Sequence, residues 1–552
     1  MKKDTKSSDY WVKYVEDKLE DVKKFRSFKI DRQWMINYAN YKGWTQLKYD
    51  RKTGSIVWVD TEEDTFYINK IYPTVRLIRG AITKSAPVWT VESLPSFTSG
   101  RRDTGVLNRY LTILYDKLGM KMKIKEAVTF ALLYSIGVFQ YGYDPDASNG
   151  EGEVWVEVVD PFDFYIDPDA GCIDEAQYAI KVVKRTVAEL QANKNYENTK
   201  DLKGESKFAE SEYKDQMLSQ VYGSGGEGEA LLVNEAWCMI DGKVHVITTC
   251  DGRLLRHEET DLDELPFVVM KADINPGEIY GEGWVKHLVP LQKAINQLHR
   301  NILHYNDVFS KGKYIADENV RTRTVTNEHA QIIKVPRGAR FEAMPMVPMS
   351  STPFNQLQLL EGLYSEIGAS HEAFMGATPT GVTAGVALEQ LVMNAMNNLS
   401  DILDNVQEAE SQLGEKLLKM GYKYYDVVKM YQDESGIIAM GGEGTSQKGI
   451  VVMNETESGV EQEEVKVYKI PKLADVRVSI EAGIAFTRQA RNELLMQLRM
   501  GKDVDRKTLL ENLSLNSDEI EERLIEEELK PQILAQQMVE AQSEPVPEMP
   551  IA

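Results

Sequence analysis

The sequence predicts an α+β fold in which helices and antiparallel strands occupy separate blocks of the chain. Three observations carry that reading. Apolar residues recur every three or four positions over long stretches, the period of a helix with one buried face. Other runs alternate apolar and polar residues between Gly, Pro and Asp, the period of a half-buried strand. An Asp-Gly pair, Asp241-Gly242, sits between two such alternating runs, where a tight hairpin turn is expected.

The first element is helical, from Tyr10 to about Tyr41, with Trp11, Val15, Leu19, Val22 and Phe25 at helical spacing. A second apolar-periodic stretch opens at "NKIYPTVRLIRG", Asn69 to Gly80. The run "LNRYLTILYDKLGMKMKIKEAVTFALLYSIGVFQYGY" predicts two helices punctuated at Gly119. Strands follow in "GEVWVEVVDPFDFYIDP", which ends in a Pro-Asp turn. Residues from about 195 to 230 are polar and finish in Gly-rich sequence, so a mobile insertion with at most a short helix is expected there. Strands resume in "LLVNEAWCMIDGKVHVITT".

The clearest periodicity begins after "NPGEIYGEG". Trp284, Leu288, Leu291, Ile295, Leu298, Ile302, Tyr305 and Phe309 are spaced 4-3-4-3-4-3-4, the pattern of a helix that keeps one narrow seam against a neighbour. Such a helix is about 39 Å long, and Pro290 falls in its first turns. A shorter series runs through Phe354, Leu357, Leu360, Tyr364, Ile367, His371 and Phe374, with short strand-like pieces between the two helices. A third helix is expected from Leu388 through Leu417, reaching to about Met430. Strands are then expected near "GIVVMNE", "EVKVYKI" and "DVRVSIEAG", and helices to the end.

A chain of 552 residues with 42% hydrophobic and 9% aromatic residues has enough apolar surface for several cores. Its net charge of −22 argues against a protein that coats duplex DNA or an anionic membrane, since both need Lys and Arg. Cys172, Cys238 and Cys250 form no disulfide-dense spacing, which suits a reducing compartment. No targeting segment is expected, nor a membrane span: the longest apolar run, Ala127 to Phe139, falls short of the length of about 20 residues that a bilayer needs.

Tests for chemistry return little. "GGEGTSQKG" fails the phosphate-loop spacing, and "GEGWVK" lacks the third glycine of a dinucleotide fingerprint. The acids Asp160, Asp163, Asp167, Asp169 and Asp174 miss the calcium-loop pattern, with Tyr178 where a bidentate Glu is required. No histidine falls in a zinc-ligand spacing and no G-x-S-x-G elbow appears. No catalytic residue, metal or cofactor is therefore expected. One basic concentration remains: Arg321, Arg323, Lys334, Arg337 and Arg340 face the single acid Glu328 in "RTRTVTNEHAQIIKVPRGAR". In so acidic a chain it reads as a polar contact surface, or as a solvated hairpin. The stretch "GATPTGVTAGVALEQL" is the reverse case, carrying no charge between Glu372 and Glu389.

This order of parts resembles the portal proteins of tailed bacteriophages, the ring at the capsid vertex through which DNA is packaged and ejected. The likeness extends to "NKIYPTVRLIRG", "DPFDFYIDP", "YGEGWVKHLVPLQKAINQLHRN" and "GATPTGVTAGVALEQL" and spans roughly residues 10–490. It implies a wing in 1–282, stem helices at 283–310 and 353–374, and a clip at 311–352 that carries the basic patch. It also implies a tunnel loop at 375–385, a return to the wing in 386–485, and a helical crown and tail in 486–552. The tunnel loop would face DNA with Phe374, Gly376, Thr378, Pro379, Thr380, Gly381 and Thr383, and its neutral side chains would touch DNA without holding phosphate. The implied partners are further copies of the chain in a dodecamer, the terminase large subunit, tail adaptor and head-completion proteins, major capsid and scaffolding proteins, and double-stranded DNA passing without sequence specificity. The implied location is the virion vertex, with the host cytoplasm during assembly. After Gln542 only "SEPVPEMPIA" follows, too little for a tall helical crown. Two other classes of function fit parts of the sequence: a cytosolic coiled-coil scaffold joined through the 284–309 seam, and a metal-dependent nuclease using the acids from Asp160 to Asp174.

Overall fold

The computed structural model of the chain describes residues 7–50, 52–53, 55–59, 66–83, 88–93, 101–200, 202–204, 211–223, 230–310, 314–318, 336–343, 348–369, 399–433, 436–445, 449–456, 459–470 and 476–481. Helix α1 (Ser8–Arg26) is N-capped by Ser7, whose hydroxyl accepts from the Tyr10 amide. A single π-turn over Ser27–Asp31 joins it to α2 (Arg32–Lys42), which stops at Gly43 in the left-handed region (φ 77°). A hairpin of β1 (Leu47–Asp50) and β2 (Ser55–Trp58) precedes α3 (Ile71–Thr83), β3 (Val88–Ser93), α4 (Arg101–Lys117) and α5 (Met120–Tyr134). Neither the hairpin nor β3 was evident in the periodicity.

The helix expected to run on from α5 ends at Tyr134, and β4 (Ile136–Asp144) takes its place. The reason is close packing on both faces. At Gly137 a Cβ would lie 2.4 Å from the Ala127 carbonyl oxygen, and at Gly142 it would lie 2.6 Å from the Trp155 ring. The apolar run there is therefore a strand buried on both sides, which periodicity cannot separate from a buried helix. Next come a short α6 (Ala147–Gly150), β5 (Glu153–Val159), β6 (Phe164–Ile166), β7 (Tyr178–Thr186), α7 (Val187–Ala192) and α8 (Glu212–Tyr222). Strands β8 (Ala230–Ile240), β9 (Lys243–Cys250), β10 (Arg253–Glu259) and β11 (Phe267–Lys271) follow, and the β8–β9 turn is the expected one, with Asp241 and Gly242 both at positive φ.

The segment expected to be a mobile insertion is docked where the structure describes it. Tyr213 and Met217 of α8 are buried in the main core, and Gln216 accepts from the Ile56 amide at 2.9 Å. Lys214 reaches Asp163 at 2.6 Å and Asp160 at 3.0 Å. Four spaced contacts on a polar helix anchor it without an apolar stripe, so composition alone misread it.

The chain continues through α9 (Val285–Ser310), β12 (Tyr314–Ala316), β13 (Phe341–Ala343), α10 (Thr352–Ile367) and α11 (Ser400–Tyr424). Strands β14 (Lys429–Asp433), β15 (Gly436–Gly441), β16 (Gly449–Thr456), β17 (Gly459–Lys469) and β18 (Val476–Glu481) complete the described part. Helix α11 thus stops short of Met430, which lies in β14, and β14 and β15 were not foreseen. The helices expected in 486–552 lie outside the described residues.

The sheets are largely antiparallel: β10-β9-β8-β7-β6, β11-β4-β5, β1-β2, β12-β13 and β18-β3, with one parallel pair, β15 on β17, in the sheet β14-β15-β17-β16. This is the mixed α+β architecture expected. The main core lies between α5, β4, β11, the first half of α9 and α11, while α1 covers one face of the five-stranded sheet with Trp11, Val15, Leu19 and Val22.

Candidate functional site

The part of the molecule with a shape of its own is the α9–α10 hairpin. Its base is fixed by polar groups inside the core. Gln292 and Asn296, both buried, grip the extended backbone before α3. Gln292 donates to the Ile68 carbonyl at 2.6 Å and accepts from the Lys70 amide at 2.8 Å, and Asn296 accepts from the Ile68 amide at 3.0 Å. Lys70 also pairs with Glu361 of α10 at 2.6 Å, and the Thr74 and Tyr364 hydroxyls lie 3.3 Å apart. These paired groups fix the first half of α9 and the last turns of α10 to the segment that leads into α3.

The seam residues fall into two groups along α9. Leu288, Ile295 and Ile302 are buried, and Trp284, Leu291, Leu298 and Tyr305 are half-buried. The first half of the seam packs on this chain's own core, against α2, α3, α5 and α10. A partner helix is not needed to explain that burial, which removes the sequence basis for a scaffold built on this seam. From Leu303 to Phe309 every residue is exposed or half-buried, whichever side of the helix it occupies. Helix α10 mirrors this: nothing from Thr352 to Leu363 is buried, and burial begins at Tyr364. The distal turns of both helices therefore stand clear of the body.

Those distal turns are apolar where solvent would favour polar groups. Leu359 and Leu363, one turn apart on α10, are 63% and 38% exposed, and Ile367, 44% exposed, carries the same stripe past Tyr364 to the body end of the helix. Phe354, Leu303 and Phe309 are exposed as well, and Phe309 stacks on Tyr305. So dense a set of exposed apolar side chains marks a surface that is covered in an assembly.

At the far end β12 pairs with β13, Tyr314 opposite Ala343 and Ala316 opposite Phe341. Of the basic patch, Arg340 is held by Glu342 at 3.1 Å, and its amide donates to Asp317 at 2.7 Å. Arg337 is exposed in the turn before Gly338. Arg321, Arg323 and Lys334 lie outside the described residues, as do all the expected tunnel-loop residues, Phe374, Gly376, Thr378, Pro379, Thr380, Gly381 and Thr383. Helix α11 begins at Ser400, and residues 370–398, where the third helix was expected to open at Leu388, lie outside the described residues. The helix is pinned to the turn before β11 by Lys416, 3.4 Å from Glu264, and by Lys419, 3.2 Å from Glu264.

Four of the five acids considered for a nuclease have structural partners, and the fifth, Asp169, is exposed. Asp160 accepts from the Phe162 amide and pairs with Lys214, as Asp163 does, and Asp167 accepts from the Asp169 and Gln177 amides. Asp174 lies 3.2 Å from Lys416. Among the described residues no three His, Cys, Asp or Glu side chains are grouped to hold a metal ion, and no helix is long and apolar enough to cross a membrane.

Residues 143–432, more than half of the chain, match the family model described as "Phage SU10 portal protein". No curated protein matches the chain. Among solved structures, a chain from the "Virion of native gene transfer agent (GTA) particle" aligns over 80% of this chain and 89% of its own, at 9% identity and a TM-score of 0.40.

Proposed function

The chain belongs to the phage SU10 portal protein family, and from that premise we propose that twelve copies close into a ring at a single capsid vertex, around a channel for DNA. Portal proteins are structural components of the virion rather than enzymes. In our reading the terminase large subunit drives DNA inward through the ring, the same channel releases it, and a tail is built beneath. The α9–α10 hairpin is the stem, β12–β13 with residues 311–352 the clip, and residues 375–385 the tunnel loop. The wing comprises the N-terminal part and residues 386–485.

The observation that carries this reading is the hairpin's distal apolar surface. The stripe's Leu and Ile side chains are 38–63% exposed, so covering each contributes about half of the full-burial value, roughly 1 kcal/mol. A ring of identical subunits covers such a surface on every copy. The net charge of −22 fits a channel wall that repels DNA rather than binding it. Terminase and the tail adaptor would meet the clip. Capsid, scaffolding and head-completion proteins would meet the remaining outer surfaces.

The test is ring formation by Leu359→Glu and Leu363→Glu variants. These side chains are exposed in one chain, so the variants keep the wild-type circular dichroism and lose the ring on size-exclusion chromatography with light scattering. Rings of unchanged size from both variants would refute the assignment.

A further inference from the structure

One stretch of this acidic chain holds no acid at all: from Thr65 to Val91 there is neither Asp nor Glu, and Lys70, Arg76 and Arg79 lie within it. Helix α3 occupies the middle of that stretch. Its Thr74, Val75 and Ile78 are buried, and Lys70, just before the helix, is taken up by Glu361 of α10. Tyr72, Pro73, Arg76 and Gly80 are exposed on its outer side, with Arg79 half-buried beside them.

The groups around the two arginines are rings and hydroxyls. The Arg76 guanidinium lies 5.7 Å from the centre of the Tyr72 ring, and Tyr72 packs on Tyr41 with ring centres 5.2 Å apart. Burial pushes the Tyr41 phenol above its ordinary value, and the charges that act on it are those of Arg79 and Arg76. Arg79 donates to the Thr129 hydroxyl of α5 at 3.1 Å. From Thr129 the line continues one and two turns back along α5, to Lys125, half-buried, and Lys121, exposed. Glu126 is the one acid on α5, and it is exposed on the adjoining side, one turn from the exposed Met122.

Among the described residues no carboxylate pairs with Arg76, Arg79, Lys121 or Lys125. Lys214, Lys416 and Arg340, by contrast, are each met by acids of this chain. The four unpaired cations keep their attraction for an anion from outside. Arg, Lys, Thr and Tyr are also the side chains that hold nucleic-acid phosphates. The aliphatic side chains of this face offer little: Leu77 and Ala81 are half-buried and Pro73 is small, so it lacks the apolar anchor on which a protein partner closes. Duplex DNA carries about one charge per 1.7 Å of its axis, so the stretch of about 12 Å from Lys121 to Thr129 alone faces roughly seven phosphates.

We propose that the outer faces of α3 and α5 form a track that holds the phosphate backbone of double-stranded DNA without reading its sequence. The choice of DNA as the polyanion rests on the reading of this chain as a portal subunit; the track itself is built within one chain and does not need the ring.

The experiment is fluorescence anisotropy of a labelled duplex of arbitrary sequence with the full chain. Four neutralised phosphates give log affinity a slope of about −3.6 against log salt, a loss of about 150-fold between about 50 and 200 mM. Arg76→Gln with Arg79→Gln brings the slope to about −1.8 and the loss to about 12-fold. Lys121→Gln with Lys125→Gln, on a separate helix, does the same, so a failure of one pair to fold leaves the other decisive. Light scattering on the same samples reads the ring independently: rings that do not bind the duplex overturn the track and leave the ring, and a monomer that binds it with this slope supports the track and overturns the ring. Wild-type slopes in the variants, or capture of a poly-glutamate peptide in place of the duplex, would overturn the proposal, the latter by assigning the face to an acidic protein.

Discussion

Glu410 gives the sharpest test of how α11 is packed. It is 1% exposed, its Oε2 has no hydrogen-bond partner, and burial pushes its carboxyl from 4.5 up to about 8. Its neighbourhood holds two more orphans: Tyr115, whose titration it raises, presents an unpartnered hydroxyl, and Trp89, edge-on to Tyr115, an unpartnered Nε1. One turn along, a Cβ on Gly414 would lie 3.5 Å from Trp89. A carboxyl so placed is held neutral at physiological pH, its charged form disfavoured by about 5 kcal/mol. The folded pKa lies above the unfolded one, so the folded state holds one more proton from pH 4.5 to about 8. Stability is thus greatest below that window and falls as pH rises through it. Glu410→Gln removes the titration and keeps the shape. Between pH 6 and pH 9 its stability relative to wild type should rise by about 3 kcal/mol. The readout is normalised hydrogen exchange of residues 89–91 and 402–418, where wild-type protection should fall about a hundredfold relative to the variant. Parallel pH profiles for the two proteins would refute the reasoning.

Ile295→Asp should destabilise the chain itself, not only its assembly, because Ile295 is fully buried in its own core; we expect a loss of several kcal/mol. Thermal melting of the variant tests this, and a wild-type melt would count against the burial of the seam. Lys214→Met should remove the cation that Asp160 and Asp163 share, cost about 1–3 kcal/mol for a pair that solvent partly screens, and free α8. New early cleavage sites within 211–223 in limited proteolysis are the expected result, and an unchanged digest contradicts it. Ser at Arg321, Arg323 and Arg337 together should leave rings intact and weaken terminase or adaptor binding, most at low salt; equal binding there would remove the patch from docking. Lys at Thr378 and Thr380 should leave rings intact and slow packaging by binding phosphate. Equal DNA per procapsid at low salt would take this loop off the channel wall.

The helical part of the fold was legible because its signal is local. The expected helix from Trp284 to Phe309 corresponds to α9, Val285–Ser310, within one residue at each end. What faces such a helix is not local: a spacing of three and four is the same whether Leu288 and Ile295 meet a partner or, as here, the chain's own core. Strand β4 was misread for a related reason, since a strand buried on both faces has no alternation, and only the tertiary approaches at Gly137 and Gly142 reveal it. A short helix was allowed for at α8, but its docking was not, because that rests on Lys214, Gln216 and two apolar residues, a pattern that composition reads as solvated. The track on α3 and α5 needed tertiary packing, Arg79 and Thr129 being neighbours only after the two helices meet. The clip arginines were legible as a run of charge, but the acid that opposes the Arg340 guanidinium, Glu342, sits outside that run, as does Asp317, which accepts from the Arg340 amide.

The central claim is that this chain builds a DNA-conducting ring, and electron microscopy of the purified full-length protein tests it most directly. The account predicts closed rings of twelve subunits with an axial channel, the α9–α10 hairpins standing side by side around it and residues 375–385 on its wall. A monomer at micromolar concentration, or a filament without a channel, would contradict it.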